Sequence, residues 1–536
     1  MFIRTKRVKG YTYLQVVENL REGRKTRQRV VATLGRLDRL QAEGDIEGLL
    51  RSLARFQQQV AIQQAHAEGS LEALGSWRVG PALVFGRLWE ELKIDRVLRH
   101  LLEGRRFQFD LERVVFASTL HRLFESGSDR QAVRWLRDVA IPGSDDRLLH
   151  HFYRAMRWLG ETKDAIEEAL FAVHRDLFTQ VQLVFYDTTS FYFEGQGGSL
   201  GAYGYSRDDR PDRRQVVVGV VLTEQGRPVC MDVAAGHRSD AKALLPMVRR
   251  LKDRFGLRRV CWVADGGMVS EPVIRELEEL GLLYILGTRL RALREVREEV
   301  LGRAGRYRRV EEDLWVKEVW VGDRRYVVAY NPQEAARERA TRRAILESLQ
   351  RKLQEHPGAL VGNRGFRRFL KVAKEGIQID RAKVRAAARY DGKFVLRTNT
   401  DLPAEEVARQ YKELWRVEAF FRAAKSLLET RPVYHRWDAT ITGHLFVSFL
   451  ALLLAHELNR RLEAKGLRLE WADILRDLEA LQEVEVRHHD QLYRLRPPLQ
   501  GVAGKVLQAV GVAIPPPVRE VSRGANGSSR ALARPS

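Results

Sequence analysis

Cysteine is nearly absent: Cys230 and Cys261 are the only two in 536 residues. Far apart in sequence, they exclude a disulfide framework and a CxxC zinc site, and a reducing cytoplasm is the expected compartment. The opening residues, MFIRTKRVKGYTYLQVVENL, lack the apolar run and small-residue cleavage site of a secretory signal. Long apolar runs are also missing. The longest, LFVSFLALLLA at 445–455, is too short to span a bilayer and reads as a buried helix, so no membrane partner is expected. Acidic residues are in deficit, 70 against 92 Lys and Arg, which leaves a net charge of +22. Such a surplus favours a polyanionic partner, nucleic acid first.

What is present is a chain with 44% hydrophobic residues, mostly folded and too long for one core, so about two to four domains are expected. Residues 1–40 alternate β-favouring and basic residues and read as a small basic β-rich segment. Residues 41–178 carry apolar positions at three and four spacing, including LEALGSWRVGPALVFGRLWEEL, and read as an α-helical domain. Helix-turn-helix DNA binding is one reading there, plain helix packing the other. From 179 to 290, β-rich runs (VQLVFYDTTSFYFE, QVVVGVVLT, PVCMDVAAG) precede alternating helices and strands, which makes a mixed sheet covered by helices on both faces. Residues 291–390 break the alternation with a β-rich stretch and long charged helices, and read as an insertion domain. The core resumes over 391–430, residues 431–513 read as a helical region, and 514–536, rich in Pro, Gly and Ser, as a disordered tail.

Three carboxylates stand out in the pattern that a two-metal phosphoryl-transfer site needs: Asp187 after VQLVFY, Asp265 after VCWVA, and Glu418 in YKELWRVEAFFRAAK. A phosphodiester is shielded by its own negative charge, which divalent ions held by acidic side chains offset. Along the first run, Leu183, Phe185 and Asp187 share one face and Val184 and Tyr186 the other, so the strand is central with Asp187 at its end. In a single helix turning about a hundred degrees per residue, Tyr411, Leu414, Glu418 and Lys425 share an inward stripe of roughly sixty degrees. Buried there, Glu418 and Lys425 would need a metal, an ion pair or a phosphate.

With these residues in hand, Asp187 in YDTTS, Asp265 in VADGGM and the spacing Tyr411-x2-Leu414-x3-Glu418-x6-Lys425 resemble the DDE transposases of bacterial insertion sequences, in the IS-four superfamily and its 1634-type group. The family's helical signature has arginine where Leu414 stands, and LWRVEAFFR is similar to the variant of that group. GYSRDDRPDRRQVVVG, GHRSD, YHRWDATITGH and the amino-terminal YTYLQVVENLREGRKTRQRVVATLGRLD extend the resemblance over most of the chain.

The resemblance implies an α/β fold: a ribonuclease H-like mixed-sheet core with an inserted α+β domain, flanked by helical N- and C-terminal regions. It implies a nucleoid-associated enzyme that binds the terminal inverted repeats of its insertion sequence, cleaves the element ends and joins the 3′-hydroxyl to target DNA. Two Mg²⁺ ions, or Mn²⁺ in their place, would be held by Asp187, Asp265 and Glu418, and two subunits would pair in a synaptic dimer. Tyr411 and Lys425 match DNA-contacting positions of the signature, and Arg422 is counted with them. Trp315 and Trp320 are candidates for stacking on an extruded base, with ordinary core packing as the other reading. The basic run with Arg367, Arg368, Lys371 and Lys374 either tracks the DNA backbone or forms a soluble face. A nuclease without strand transfer and an inactive DNA-binding derivative are the competing functions.

Overall fold

The computed structural model describes residues 1–22, 25–143, 148–174, 183–239, 242–255, 260–355, 368–373 and 376–521. Two compact units are present, one built from Met1–Ser76 with Glu483–Pro498 and the C-terminal end, the other from Trp77–Gln482 with Leu499–Ile514. In the first unit, β1 (Phe2–Val8), β2 (Tyr11–Glu22) and β3 (Lys25–Arg36) form an antiparallel sheet. The helix Asp45–Ala67 follows, and then β4 (Leu71–Arg78). The stretch LEALGSWR was expected to be helical, and it is a strand instead. Gly75 and Ser76 weaken a helix there, and Pro81 fits the first turn of the helix Gly80–Glu91 that begins just after it.

Two further expectations fail in the same unit. The 431–513 region, read as helical, contains the hairpin β16 (Gln482–His488) and β17 (Gln491–Leu495). The tail, read as disordered from 514, supplies β18 (Val518–Val521) to the sheet order β18-β17-β16-β4, while 522–536 lie outside the described residues.

The second unit is organised by nine strands in the order β10-β11-β12-β15-β9-β8-β5-β6-β7. Its centre comprises β5 (Leu183–Tyr192), β6 (Gln215–Thr223), β7 (Pro228–Ala235), β8 (Cys261–Ala264) and β9 (Leu283–Gly287). The first three run antiparallel in sequence, and β8 and β9 then add in parallel to β5. Numbered within this set, the spatial order is 3-2-1-4-5, the ribonuclease H-like arrangement. The chain dictates it simply: β5 and β6 are apolar on both faces, which suits central strands and no others. Leu183, Phe185 and Val263 join one core, beneath the helices Trp415–Arg422 and Asp438–Ala464. Val184, Tyr186 and Trp262 join another, with the helices Leu244–Phe255 and Glu271–Glu279.

The stretch 291–390, expected as one inserted domain, divides in two. β10 (Arg308–Arg309), β11 (Trp315–Val321) and β12 (Arg324–Tyr330) extend the central sheet, β12 pairing with β15 (Lys393–Thr398). Among the described residues, the helix Pro332–Glu355, the hairpin β13 (Leu370–Ala373) and β14 (Gly376–Ile379), and the helix Arg381–Ala388 leave it, around a small core of Leu349, Phe369 and Leu370. The apolar run 445–455 belongs to a longer helix, Asp438–Ala464, of 27 residues. Contrary to expectation, that helix is long and apolar enough to cross a membrane, but 83% of its apolar window is buried within the fold.

Candidate active site

Parallel register between β5 and β8 pairs Tyr186 with Ala264. The next residues on the two strands are Asp187 and Asp265, so the two aspartates stand on neighbouring strands, which lie about 4.8 Å apart. Both follow the inward parity of Phe185 and Val263, which puts them on the face covered by the helix of Glu418. Asp265 ends its strand as expected. Asp187 does not: β5 continues to Tyr192, paired with β6, and only the pairing with β8 stops at Tyr186.

The third carboxylate arrives on a broken helix. The first segment, Ala404–Lys412, carries Tyr411; a turn follows, then Trp415–Arg422 with Glu418 in its first turn, then a π-helical segment, Ala423–Leu427, with Lys425. The single continuous stripe expected from the sequence is therefore lost, because the break and the wider π turn change the angle per residue. Leu414 is buried, whereas Glu418 is exposed and bears no burial cost.

Tyr411 ties this broken helix to the second carboxylate. Its hydroxyl donates to Asp265 Oδ1 at 3.0 Å, and its ring stacks on Phe394 with centroids 5.7 Å apart. Burial and then the negative charge of Asp265 hold the phenol well above the ordinary tyrosine range, and Asp187 and Glu418 push the same way. The hydroxyl therefore stays protonated as a donor. Gly287, at the end of β9, makes room for it, since a Cβ there would collide with the Tyr411 hydroxyl and ring. Asp265 Oδ2 accepts the Gly267 N–H at 3.3 Å, and Arg289 holds that turn through the carbonyls of Gly266 (3.1 Å) and Gly267 (2.7 Å). Gly287 and Arg289 had no signal in the sequence that set them apart from ordinary turn and surface residues.

Oxygen-only donors of this kind suit Mg²⁺ or Mn²⁺. Among the described residues, no three His, Cys, Asp or Glu side chains stand close enough together to hold an ion as placed. The carboxylates share one neighbourhood, open to solvent at Asp265 and Glu418, without forming a closed cage.

The basic and aromatic candidates separate. Lys425 Nζ donates to Asp208 Oδ1 at 2.8 Å, and Arg431 pairs with the same oxygen. Burial lowers the Lys425 pKa despite the opposing pull of Asp208. Asp208, in the DD of GYSRDDRPDRR, is the partner that sequence reasoning missed. Arg422 is exposed on the helix of Glu418. Trp315 and Trp320 lie five residues apart on β11 and so face opposite sides of the sheet, which rules out a joint stacking site. Trp315 is half-buried; Trp320 is exposed, with Nε1 donating to Glu318 at 3.1 Å. Arg368 lies over the Phe369 ring and Lys371 is exposed on β13, while Arg367 and Lys374 lie outside the described residues.

Residues 180–454 match the family described as "Transposase DDE domain", just over half of the chain, and residues 3–67 match "IS1634 family transposase, N-terminal domain". The chain belongs to the DDE transposases, in their IS1634 type. Among solved structures, the piggyBac transposase synaptic complex with hairpin DNA is 11% identical, with 75% of this chain and 78% of that chain covered and a TM-score of 0.35. The Mos1 transposase paired-end complex with left transposon end is 17% identical, with 35% and 57% covered and a TM-score of 0.15. At such scores the strand order, not these likenesses, carries the fold. No curated protein matches this transposase in sequence.

Proposed function

We propose that this transposase cuts DNA at the ends of its insertion sequence and joins the freed strands to target DNA. Water attacks the phosphodiester at the element's end, the P–O3′ bond breaks and a 3′-hydroxyl leaves with the proton. That hydroxyl then attacks a target phosphodiester in line: its new P–O bond forms as the target's own P–O3′ bond breaks, and the target 3′-oxygen leaves with the hydroxyl's proton, with no covalent protein intermediate. Asp187, Asp265 and Glu418 would together hold two divalent ions. Once bound, Mg²⁺ or Mn²⁺ would supply positive charge to the attacking and leaving oxygens.

The chain's own groups orient this chemistry. Tyr411 fixes one oxygen of Asp265, and the Gly267 N–H fixes the other. Arg422, and Lys425 by exchanging Asp208 for a phosphate, hold the transferred strand, while Trp320, Arg368 and Lys371 offer further contacts; such contacts position DNA without reading its sequence. Two subunits would each act on one end, on cytoplasmic, nucleoid-bound DNA.

The observation that carries the proposal is the placement of Asp187 and Asp265 on neighbouring parallel strands, with Tyr411, seven residues before Glu418, hydrogen-bonded to Asp265. The test is a duplex carrying the DNA that flanks the coding sequence, incubated with protein and Mg²⁺. Nicking at the element end followed by joining is expected. Nicking alone would make the protein a nuclease, and binding without cleavage an inactive derivative.

A further inference from the structure

Among the described residues, the four most exposed aromatic side chains are Tyr205 (84%), Trp437 (77%), Tyr434 (64%) and Tyr203 (61%). They lie on two loops, 193–214 between β5 and β6 and 428–437 before the helix Asp438–Ala464. Asp438 accepts the backbone N–H groups of Ser199 (2.9 Å) and Leu200 (3.3 Å) and the Ser199 hydroxyl. Val433 donates to the Tyr192 carbonyl and accepts from Glu194 N–H, both at 3.0 Å. Asp208 adds its two ion pairs, to Lys425 and Arg431. The rings are thus carried on backbone tied at three points.

Exposed rings held in place this way leave apolar surface that the fold does not use, each capable of burying on the order of 150–250 Å². Arginines accompany them. Arg214 lies 5.6 Å from the Tyr203 ring centroid, Arg210 and Arg431 lie 5.2 and 5.9 Å from that of Tyr192, and Arg436 is exposed between Tyr434 and Trp437. Flat rings interleaved with guanidinium groups suit a ligand with stackable faces and a negative backbone. Duplex DNA hides its base faces, whereas unpaired nucleotides present them. The first loop also reaches the helical run that carries Glu418, since Asp208 accepts from Lys425 Nζ at 2.8 Å, and Lys425 stands seven residues after Glu418.

We propose that these two loops form a stacking platform for unpaired nucleotides beside the phosphodiester that is cut. The inference rests on DNA being the substrate, and the experiment separates the two. Full-length protein is titrated with a labelled oligothymidylate and with a blunt duplex, for the unaltered chain and for Trp437→Ala, Tyr434→Ala and Trp437→Phe. Each alanine variant weakens binding of the oligothymidylate by about tenfold, leaves the duplex within about twofold and leaves the melting temperature unchanged; Trp437→Phe restores single-strand binding. Unchanged single-strand binding, or equal loss on both probes, overturns the proposal. So does a changed oligomeric state with single-strand binding intact, which would make the loops a contact between copies of this chain. If the unaltered protein binds neither probe, the DNA reading itself fails.

Discussion

The Tyr411 hydroxyl donates to Asp265 Oδ1 at 3.0 Å, across 146 residues of chain. A charge-assisted bond of this kind is worth about 1.5–3 kcal/mol. Tyr411→Phe keeps the stack on Phe394 and removes only the donor. The divalent-ion concentration for half-maximal nicking should rise about tenfold, with DNA affinity unchanged. Weakened DNA binding at an unchanged ion requirement would make Tyr411 a phosphate contact instead.

Gly287→Ala attacks the same relationship from the other side, because its Cβ would occupy the space of the Tyr411 hydroxyl. Overpacking of this kind costs about 1–3 kcal/mol. Nicking should fall further than in Tyr411→Phe, and the melting temperature should drop, both readable on one preparation. Normal nicking would mean that the tyrosine need not sit there.

Why the sequence showed some of this and hid the rest is physical. Asp187 and Asp265 were legible because each interrupts an apolar run, and the apolar character of both faces of β5 correctly marked a central strand. The helix signature was legible as spacing but not as shape, since counting at one fixed angle cannot foresee the turn after Lys412 or the π segment around Lys425. Asp208 lies 217 residues before Lys425, and no local pattern links them. The hairpin of β16 and β17 did carry its alternation, in VEV and LYRL, but was absorbed into its helical surroundings. The amino-terminal unit gave a β reading over 1–40 and a wrong helical one over LEALGSWR, where a strand partner from the far end of the chain decides the outcome.

Asp208→Ala removes the carboxylate that Lys425 and Arg431 share, side chains 14% and 28% exposed. Leaving largely buried cations unpaired costs about 3 kcal/mol, so the melting temperature should fall by several degrees. Asp208→Asn should recover part of the loss. DNA binding in the asparagine variant should become more salt-dependent, because two cations are freed for phosphates. Unchanged stability in the alanine variant would show the trio to be incidental.

Acid should begin to destabilise the fold below pH 6.5, before its carboxylates protonate. Burial first, then Arg122, lowers the His121 pKa to about 3; burial first, then Arg227, lowers that of His456 to about 4. Between the ordinary 6.5 and these values the unfolded chain binds protons that the folded chain refuses. Their contribution is intact above pH 6.5 and is lost as pH falls through about 4 and then 3. The melting temperature should decline across that window, and His456→Gln should flatten the decline. A flat profile in the unaltered chain would contradict the assignment.

The central claim is that Asp187 serves phosphodiester cleavage and not DNA binding. The direct measurement is nicking of an element-end duplex in Mg²⁺ by Asp187→Asn, with binding of the same duplex followed in parallel. Binding within about twofold of the unaltered protein, with nicking lost to below detection, is the predicted result. Nicking that persists in Asp187→Asn would contradict it.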